Sequence, residues 1–238
     1  MFKVLEMRSV SLPNEHVKNS PVGVVGGGQL AQMLVLAAIG REVGIIVQTK
    51  SANDPAAKKA TRLVLAEPED VSGTKQLVNS CCSVTFENEW VNVHELGALE
   101  NKGGCFVPSL QALEPLVDKI SQRQLLDNLG IPGPEWIHLG SNELSRTKLP
   151  VGWKFPLMAK SARGGYDGKG TRVINDFNDL DQLYKDVDSD KWLLEVWVQY
   201  EMELALVASR DWQGKVRAFP LAQTNQRQQV CDWVLAPA

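Results

Sequence analysis

The chain lacks any apolar run long enough to cross a bilayer. Its longest early stretch, "MLVLAAIG" from Met33 to Gly40, falls far short of the roughly 20 residues a spanning helix needs. Residues 1–19 carry Glu6, Pro13, Asn14 and Glu15 and have no apolar centre of the kind a secretory signal requires, so they are expected to form a loose leader. Histidine is scarce and scattered at His16, His94 and His138. Cys81, Cys82, Cys105 and Cys231 show no C-x-x-C spacing, so neither residue type outlines a zinc site. Reduced thiols in a cytoplasmic protein are expected. Positive charge is not in excess either. A formal net charge of -3 supplies no global field for nucleic acid or an anionic membrane, so an anionic ligand must be held by local donors.

What is present suits an ordinary globular protein: 238 residues, 44% hydrophobic and 22% charged, enough for one large domain or two small ones. Apolar runs at Val22–Val25, Val43–Val47, Leu63–Leu65, Val84–Phe86 and Cys105–Val107 alternate with helix-like pieces, the first carrying Leu30, Met33, Leu34, Ala37 and Ala38. Strands and helices in alternation predict an α/β domain, a doubly wound parallel sheet over residues 20–113. The pattern then changes. Pro108 and Pro115 flank a connector, and a helix through Ile120, Leu125 and Leu129 stops at Gly130 and Pro132. Beyond it lie two strands, Leu157–Lys160 and Thr171–Ile174, around a glycine loop. A helix with Phe177, Leu180, Tyr184 and Val187 on one face follows, capped by Asn175 or Asp176. The remainder reads as a meander, Trp192–Val198, Glu203–Ser209 and Val216–Leu221. Residues 114–238 are therefore expected to form a separate, antiparallel α+β unit.

Four stretches carry chemistry. In "VGVVGGGQLAQM" a glycine turn joins a buried strand to a helix and leaves backbone N–H groups free for an anion. Gly26, Gly28 and Ala31 fit dinucleotide spacing, which keeps an NAD(P)-dependent oxidoreductase as an alternative. Against it, "GIIVQTK" puts Gln48 and Thr49 where a ribose-gripping acid belongs. In "TFENEW", Glu87 and Glu89 follow a strand whose C-terminal end borders the ligand crevice of a parallel sheet. Their alternation turns one of them toward the crevice if the strand continues. In "LMAKSARGGYDGKGTRVI", Asp167–Gly168 is a natural hairpin turn, yet a turn does not need Gly164, Gly165 and Gly170 as well. That density suits a mobile lid whose amides wrap phosphates, with Lys160 as counter-charge. Lys160→Ala is then expected to weaken phosphate binding and leave the fold intact. In "LLEVWVQYEMELALV", Glu195 and the strand edge after it can hold a purine, against the plain alternative of a core strand with surface acids.

Taken in order, "GVVGGGQLAQML", "TFENE", "LVDKISQRQLLDNLGIP", "KSARGGYDGKGTRV", "LEVWVQYEMELALVASR" and "LAPA" resemble the ATP-grasp family of N5-carboxyaminoimidazole ribonucleotide synthetases, over residues 20–238. The resemblance implies a pre-ATP-grasp domain followed by an ATP-grasp domain from residue 114, with a lid about 134–196 and without the family's C-terminal portion. It implies that ATP phosphorylates bicarbonate and that the carboxyl group then passes, as CO2, to the amine of 5-aminoimidazole ribonucleotide in purine synthesis. By that resemblance Lys119 and Lys160 contact ATP phosphates, and Gly165, Tyr166, Asp167, Gly168, Lys169, Gly170 and Thr171 close over them. Glu195, Val196, Trp197 and Val198 meet adenine and its ribose, Glu203 meets the ribose, and Gln226 lies at the nucleotide, where many members have histidine. Tyr166 and Lys169 match positions near bicarbonate. Gly27, Gly28, Gln29 and Leu30 match the turn that takes the ribonucleotide's phosphate, with Glu87 or Glu89 near its amine. Trp90 stands where members often have histidine, and Lys119 where some have arginine. Magnesium is implied as a cofactor, with its ligands expected in the portion this chain does not include. A homodimer, or a complementing C-terminal fragment, is the implied partner. A catalytically incomplete remnant, half of a split enzyme, and a formate- or amino-acid-using ligase remain open as alternatives.

Overall fold

The computed structural model describes residues 20–141, 144–165, 170–211, 213–227 and 230–238. Contacts divide the chain into one unit ending at Ile131 and another running from Pro132 to Ala238.

The first unit contains β1 (Val22–Val25), α1 (Gln29–Ile39), β2 (Ile45–Thr49), β3 (Arg62–Leu65), α2 (Val71–Val78), β4 (Ser83–Phe86), α3 (Val93–Glu100), α4 (Leu110–Leu113) and α5 (Lys119–Asn128). Its four strands are parallel in the order β3-β2-β1-β4, the doubly wound arrangement expected from the sequence. Neighbouring residues of β1 and β2 face opposite sides. Val25 and Ile46 join a core with Leu77, Val84 and Leu96, while Val24 and Val47 join another with Ala31 and Val35. A sheet covered on both faces needs such continuous apolar strands, which is why they show in the sequence as unbroken runs.

Two expectations are corrected here. Cys105–Val107 is not a full strand. Phe106 makes an isolated parallel bridge to Val84, and Pro108, with no N–H, cannot extend the ladder. Helix α1 exists, but it buries Ala31, Val35 and Ala38 rather than the Leu30, Met33 and Leu34 side, because small residues let it approach the sheet closely. In this unit α4, the following 3-10 turn and α5 pack in succession.

The second unit begins with β5 (Trp136–His138), β6 (Leu157–Ser161), β7 (Thr171–Ile174), α6 (Phe177–Asp186) and β8 (Trp192–Val196). The strands form an antiparallel sheet in the order β5-β8-β6-β7. Asp176 caps α6 by accepting hydrogen bonds from the amides of Asn178 and Asp179. Leu180 and Leu183 then drop into a core with Leu157, Ala159, Ile174 and Leu194. Further on come β9 (Glu203–Ala205), β10 (Ala208–Arg210), β11 (Val216–Ala218), β12 (Ala222–Arg227) and β13 (Val230–Leu235). The expected strand Glu203–Ser209 is two strands, the first pairing with β12 and the second with β11. The β12–β13 pair was not expected. All six residues of β13 are exposed, and no described helix is long and apolar enough to cross a membrane.

Candidate functional site

At the C-terminal ends of the parallel strands lies a cleft of about 390 Å³, lined by Gly26, Gly27 and Gly28 after β1, Thr49 at the end of β2 with Lys50 and Asp54 beyond it, Glu67, Pro68 and Glu69 after β3, and Glu87, Asn88 and Trp90 after β4. The chain runs from β1 to neighbours on one side and then crosses to β4 on the other, so this is the topological switch point where open α/β sheets bind ligands.

Glu87 is its most firmly held side chain. The Glu87 amide donates to the Val25 carbonyl at 2.8 Å, which seats the residue beside the glycine turn. Its carboxylate accepts hydrogen bonds from the Gly28 amide at 2.7 Å and the Ala31 amide at 3.3 Å. A carboxylate at the start of a helix is favoured by the free N–H groups and by the helix dipole. The glycines make room for it. A Cβ on Gly26 would stand 2.7 Å from the Glu87 Cβ, one on Gly28 would stand 2.5 Å from Glu87 Oε1, and one on Gly27 would collide with Thr49 Oγ1. Of the two candidate carboxylates, Glu87 lines the cleft and Glu89 does not. Of the four residues matched to a phosphate turn, Gly27 and Gly28 line it, and Gln29 and Leu30 do not. The Gly28 amide reserved in the sequence reading for phosphate is bonded to Glu87 instead.

Gln48 is fully buried. Its amide donates to the carbonyls of Glu67 at 2.7 Å and Asp70 at 3.0 Å, and its oxygen accepts from the Thr74 hydroxyl at 2.9 Å. It ties the loop after β3 to the sheet, and a side chain so buried and bonded is not placed to grip a ribose. The Thr49 hydroxyl donates a hydrogen bond to the Asp54 carboxylate. Lys50 and Asp54 were not singled out from sequence as cleft residues, and Trp90 was noted only as standing where members often have histidine. Single polar residues beyond a strand end carry no periodic signal.

In the second unit, Lys160 on β6 and Glu195 on β8 sit on one face of the sheet, since Lys160 is opposite Leu193 and Glu195 is opposite Met158. The Lys160 ammonium donates to the Glu195 carboxylate at 2.5 Å, with the Glu195 side chain 5% exposed and that of Lys160 28%. This changes the expectation for Lys160→Ala. Removing the ammonium takes this counter-charge from a buried carboxylate, so the substitution costs stability as well as any phosphate contact. The hairpin expected around the glycine loop is present. Lys160 pairs with Thr171, and Ser161 donates to the Gly170 carbonyl at 2.8 Å. Gly164, Gly165 and Gly170 all have positive φ. Tyr166, Asp167, Gly168 and Lys169 lie outside the described residues. Val196 ends β8, and Trp197 and Val198 beyond it are exposed. Glu203 opens β9 and accepts from the Tyr200 hydroxyl at 3.2 Å, and its negative charge pushes the Tyr200 phenol up. Gln226 sits on β12 next to a register shift. Lys119, by contrast, belongs to the first unit, as the first residue of α5.

These two units have recognisable relatives. Residues 20–116 match the ribonucleotide synthetase preATP-grasp domain and residues 124–238 match the ATP-grasp domain. The chain belongs to this ATP-grasp family, as its motifs led us to expect. More particularly, it is 41% identical to an N5-carboxyaminoimidazole ribonucleotide synthase of Synechococcus elongatus, over 91% of this chain and 55% of that protein. It is 42% identical to the enzyme of the same name from Synechocystis, over 93% of this chain and 55% of the relative. Among solved structures, carboxyaminoimidazole ribonucleotide synthase from Aspergillus clavatus complexed with ATP superposes with a TM-score of 0.84 at 30% identity, over 93% of this chain and 58% of that one. The Aspergillus enzyme with ADP and 5-aminoimidazole ribonucleotide superposes with a TM-score of 0.80 at 28% identity, over 93% of this chain and 57% of that one. The chain thus spans about half the length of the curated relatives it matches. The dehydrogenase alternative, left with glycine spacing alone, is set aside.

Proposed function

We propose that this chain serves the ATP-dependent carboxylation of 5-aminoimidazole ribonucleotide by bicarbonate, giving the N5-carboxyamino ribonucleotide, ADP and phosphate, in cytoplasmic purine synthesis. The observation that carries this reading is the match to synthases of that name across more than nine-tenths of the chain. A bicarbonate oxygen attacks the γ-phosphorus of ATP and ADP leaves. The resulting carboxyphosphate yields CO2 and phosphate, and the ribonucleotide's amine attacks the carbon and loses a proton. In the first unit Glu87, fixed by two amides, is the acceptor for that amine in preference to Glu89, which does not line the cleft. The turn Gly27, Gly28, Gln29 and Leu30 frames the ribonucleotide. In the second unit Lys160, released from Glu195 as nucleotide arrives, neutralises phosphate charge. Glu195, Val196, Trp197, Val198, Glu203 and Gln226 border adenine and ribose. Gly165, Gly170 and Thr171 anchor the lid, and Tyr166 and Lys169 meet bicarbonate.

Magnesium neutralises charge on transferring phosphates in ATP-grasp chemistry of this kind. No group of three or more His, Cys, Asp or Glu among the described residues is placed to hold a metal ion, so no step here runs through it. The relatives carry nearly as much chain again. Exposed Leu204, Leu206, Val207, Phe219, Trp233 and Leu235 support cover by polypeptide equivalent to that remainder. ADP formation tests the proposal, measured on the purified chain with and without the remaining portion of the Synechocystis relative. Turnover that needs both bicarbonate and the ribonucleotide is expected. Turnover independent of either, or none in both mixtures, overturns it.

A further inference from the structure

Gln48 differs from the rest of the strand that carries it. Ile45, Ile46 and Val47 precede it on β2, as a sheet covered on both faces requires, and Gln48 is as buried as they are, at 0% exposed. An apolar side chain would fill that position with no polar group to satisfy. The amide instead has three polar partners. Both partners of its nitrogen are carbonyls, those of Glu67 and Asp70, which can only accept. The nitrogen therefore faces them, and the oxygen is left to accept from the Thr74 hydroxyl. Thr74 is itself fully buried on α2. Gly73 beside it makes room for the same contact, since a Cβ there would stand 2.9 Å from the Gln48 amide nitrogen and 2.7 Å from the Ala66 Cβ. The two carbonyls mark the two ends of a turn, closed by the Asp70 amide donating to the Glu67 carbonyl at 3.0 Å. Glu67, Pro68 and Glu69 of that turn line the cleft, and neither Gln48 nor Thr74 does.

A buried amide with both N–H groups and its oxygen bonded fixes one arrangement of the chain around it, a benefit separate from net stability. From this placement we infer that Gln48, with Thr74 behind it, is a positioning residue: it holds the turn of residues 67–70 at one height over the strand ends, so that this wall of the cleft is in place before a ligand arrives. For the identity of that ligand the inference rests on the ribonucleotide reading proposed above. Gln48 touches no ligand itself. It acts through the turn, whose carboxylates can accept only from donors within reach of where the turn holds them. A wall already formed spares the ligand the cost of ordering it. Without the Gln48 amide the chain keeps its sheet, and the turn is left to be ordered by the ligand.

Two measurements on the whole chain test the inference: hydrogen exchange of the amides in residues 66–70, read by mass spectrometry, and calorimetric titration with 5-aminoimidazole ribonucleotide. Gln48→Met keeps the bulk and removes the amide. It is expected to speed exchange in residues 66–70 relative to β1, and to weaken ribonucleotide binding, each ~3- to 10-fold, the range for a lost neutral hydrogen bond. Thr74→Val removes the hydroxyl at nearly constant volume and should move both readouts the same way by less. Thr74→Ser, which keeps the hydroxyl, should restore most of both. Titration at a temperature where circular dichroism shows every variant folded keeps global stability out of the comparison. Wild-type affinity in folded Gln48→Met and Thr74→Val overturns the inference, makes the network purely structural and leaves the ribonucleotide reading standing. Weaker binding with unchanged exchange in residues 66–70 also overturns it, because the turn is then not the link. If Gln48→Met does not fold, the two Thr74 variants decide by the same readouts. A wild-type chain that binds no ribonucleotide overturns the ribonucleotide reading, and the inference falls with it.

Discussion

The two glycine-rich turns of this chain use one residue type for two different reasons. In the first unit, Gly26, Gly27 and Gly28 are crowded, and the space their missing side chains leave is filled by Glu87 and Thr49. In the second, a Cβ built on Gly164 would meet nothing within 4 Å, and what glycine supplies there is a φ of 66°. The first turn is crowded at all three glycines, whereas Gly164 is glycine because the backbone there turns left-handed. A glycine cluster is thus no evidence of ligand contact by itself. In the first unit the same unit's own carboxylate takes the amides of Gly28 and Ala31.

That contrast predicts unequal costs for the same substitution. Gly26 combines a φ of 108° with a Cβ position overlapping Glu87, so Gly26→Ala meets backbone strain and a collision together. It should lose on the order of 3 kcal/mol or more in urea unfolding. Gly164→Ala meets left-handed strain alone and should lose about 1–2 kcal/mol. Equal losses would erase the distinction.

A second asymmetry lies within the Lys160–Glu195 pair. Lys160→Ala leaves Glu195, 4% exposed, as a buried charge with its ammonium removed. The cost should be about 2–3 kcal/mol, below the full figure for a wholly buried pair because Lys160 itself reaches solvent. Glu195→Gln leaves an ammonium that solvent can reach and should cost about 1 kcal/mol. Unfolding midpoints of the two variants check the order, and a reversed order would mean that Glu195 is not the desolvated partner.

The same contrast decides what could be read from sequence. Strands β1, β2 and β4 were legible because a sheet covered on both faces demands apolar runs, and the turns between them punctuate the pattern. The β6–β7 hairpin and α6 were legible because Leu157, Ala159 and Leu180 face one core with Tyr184 and Val187 packed against it, although Leu183, also in that core, was not among the expected residues. Strand β12, "AQTNQR", was invisible because an exposed polar strand has no alternation to show. At the site, both glutamates of "TFENEW" were visible as candidates, but choosing Glu87 needed the position of the α1 amides. The Lys160–Glu195 pair needed the β6–β8 register, which no local pattern encodes. Lys50, which lines the cleft, had no signal at all.

The thiols offer the smallest effect and the plainest readout of the two environments. Burial pushes the Cys81 thiol up to about 11, the neighbouring Cys82 adds to the rise, and Arg62 opposes it. Cys231 is exposed on β13. Alkylation requires thiolate, so at pH 8 Cys231 should react with iodoacetamide well ahead of Cys81, read by mass spectrometry of the digested chain. Raising the pH toward 11 should accelerate Cys81 steadily, because its thiolate fraction is still growing across that whole interval. Two residues of one type then report two surroundings: a first unit that encloses its groups, and strands of the second that leave theirs open. Early labelling of Cys81 at pH 8 would show that the first unit opens around α2 and β4 far more readily than its packing implies.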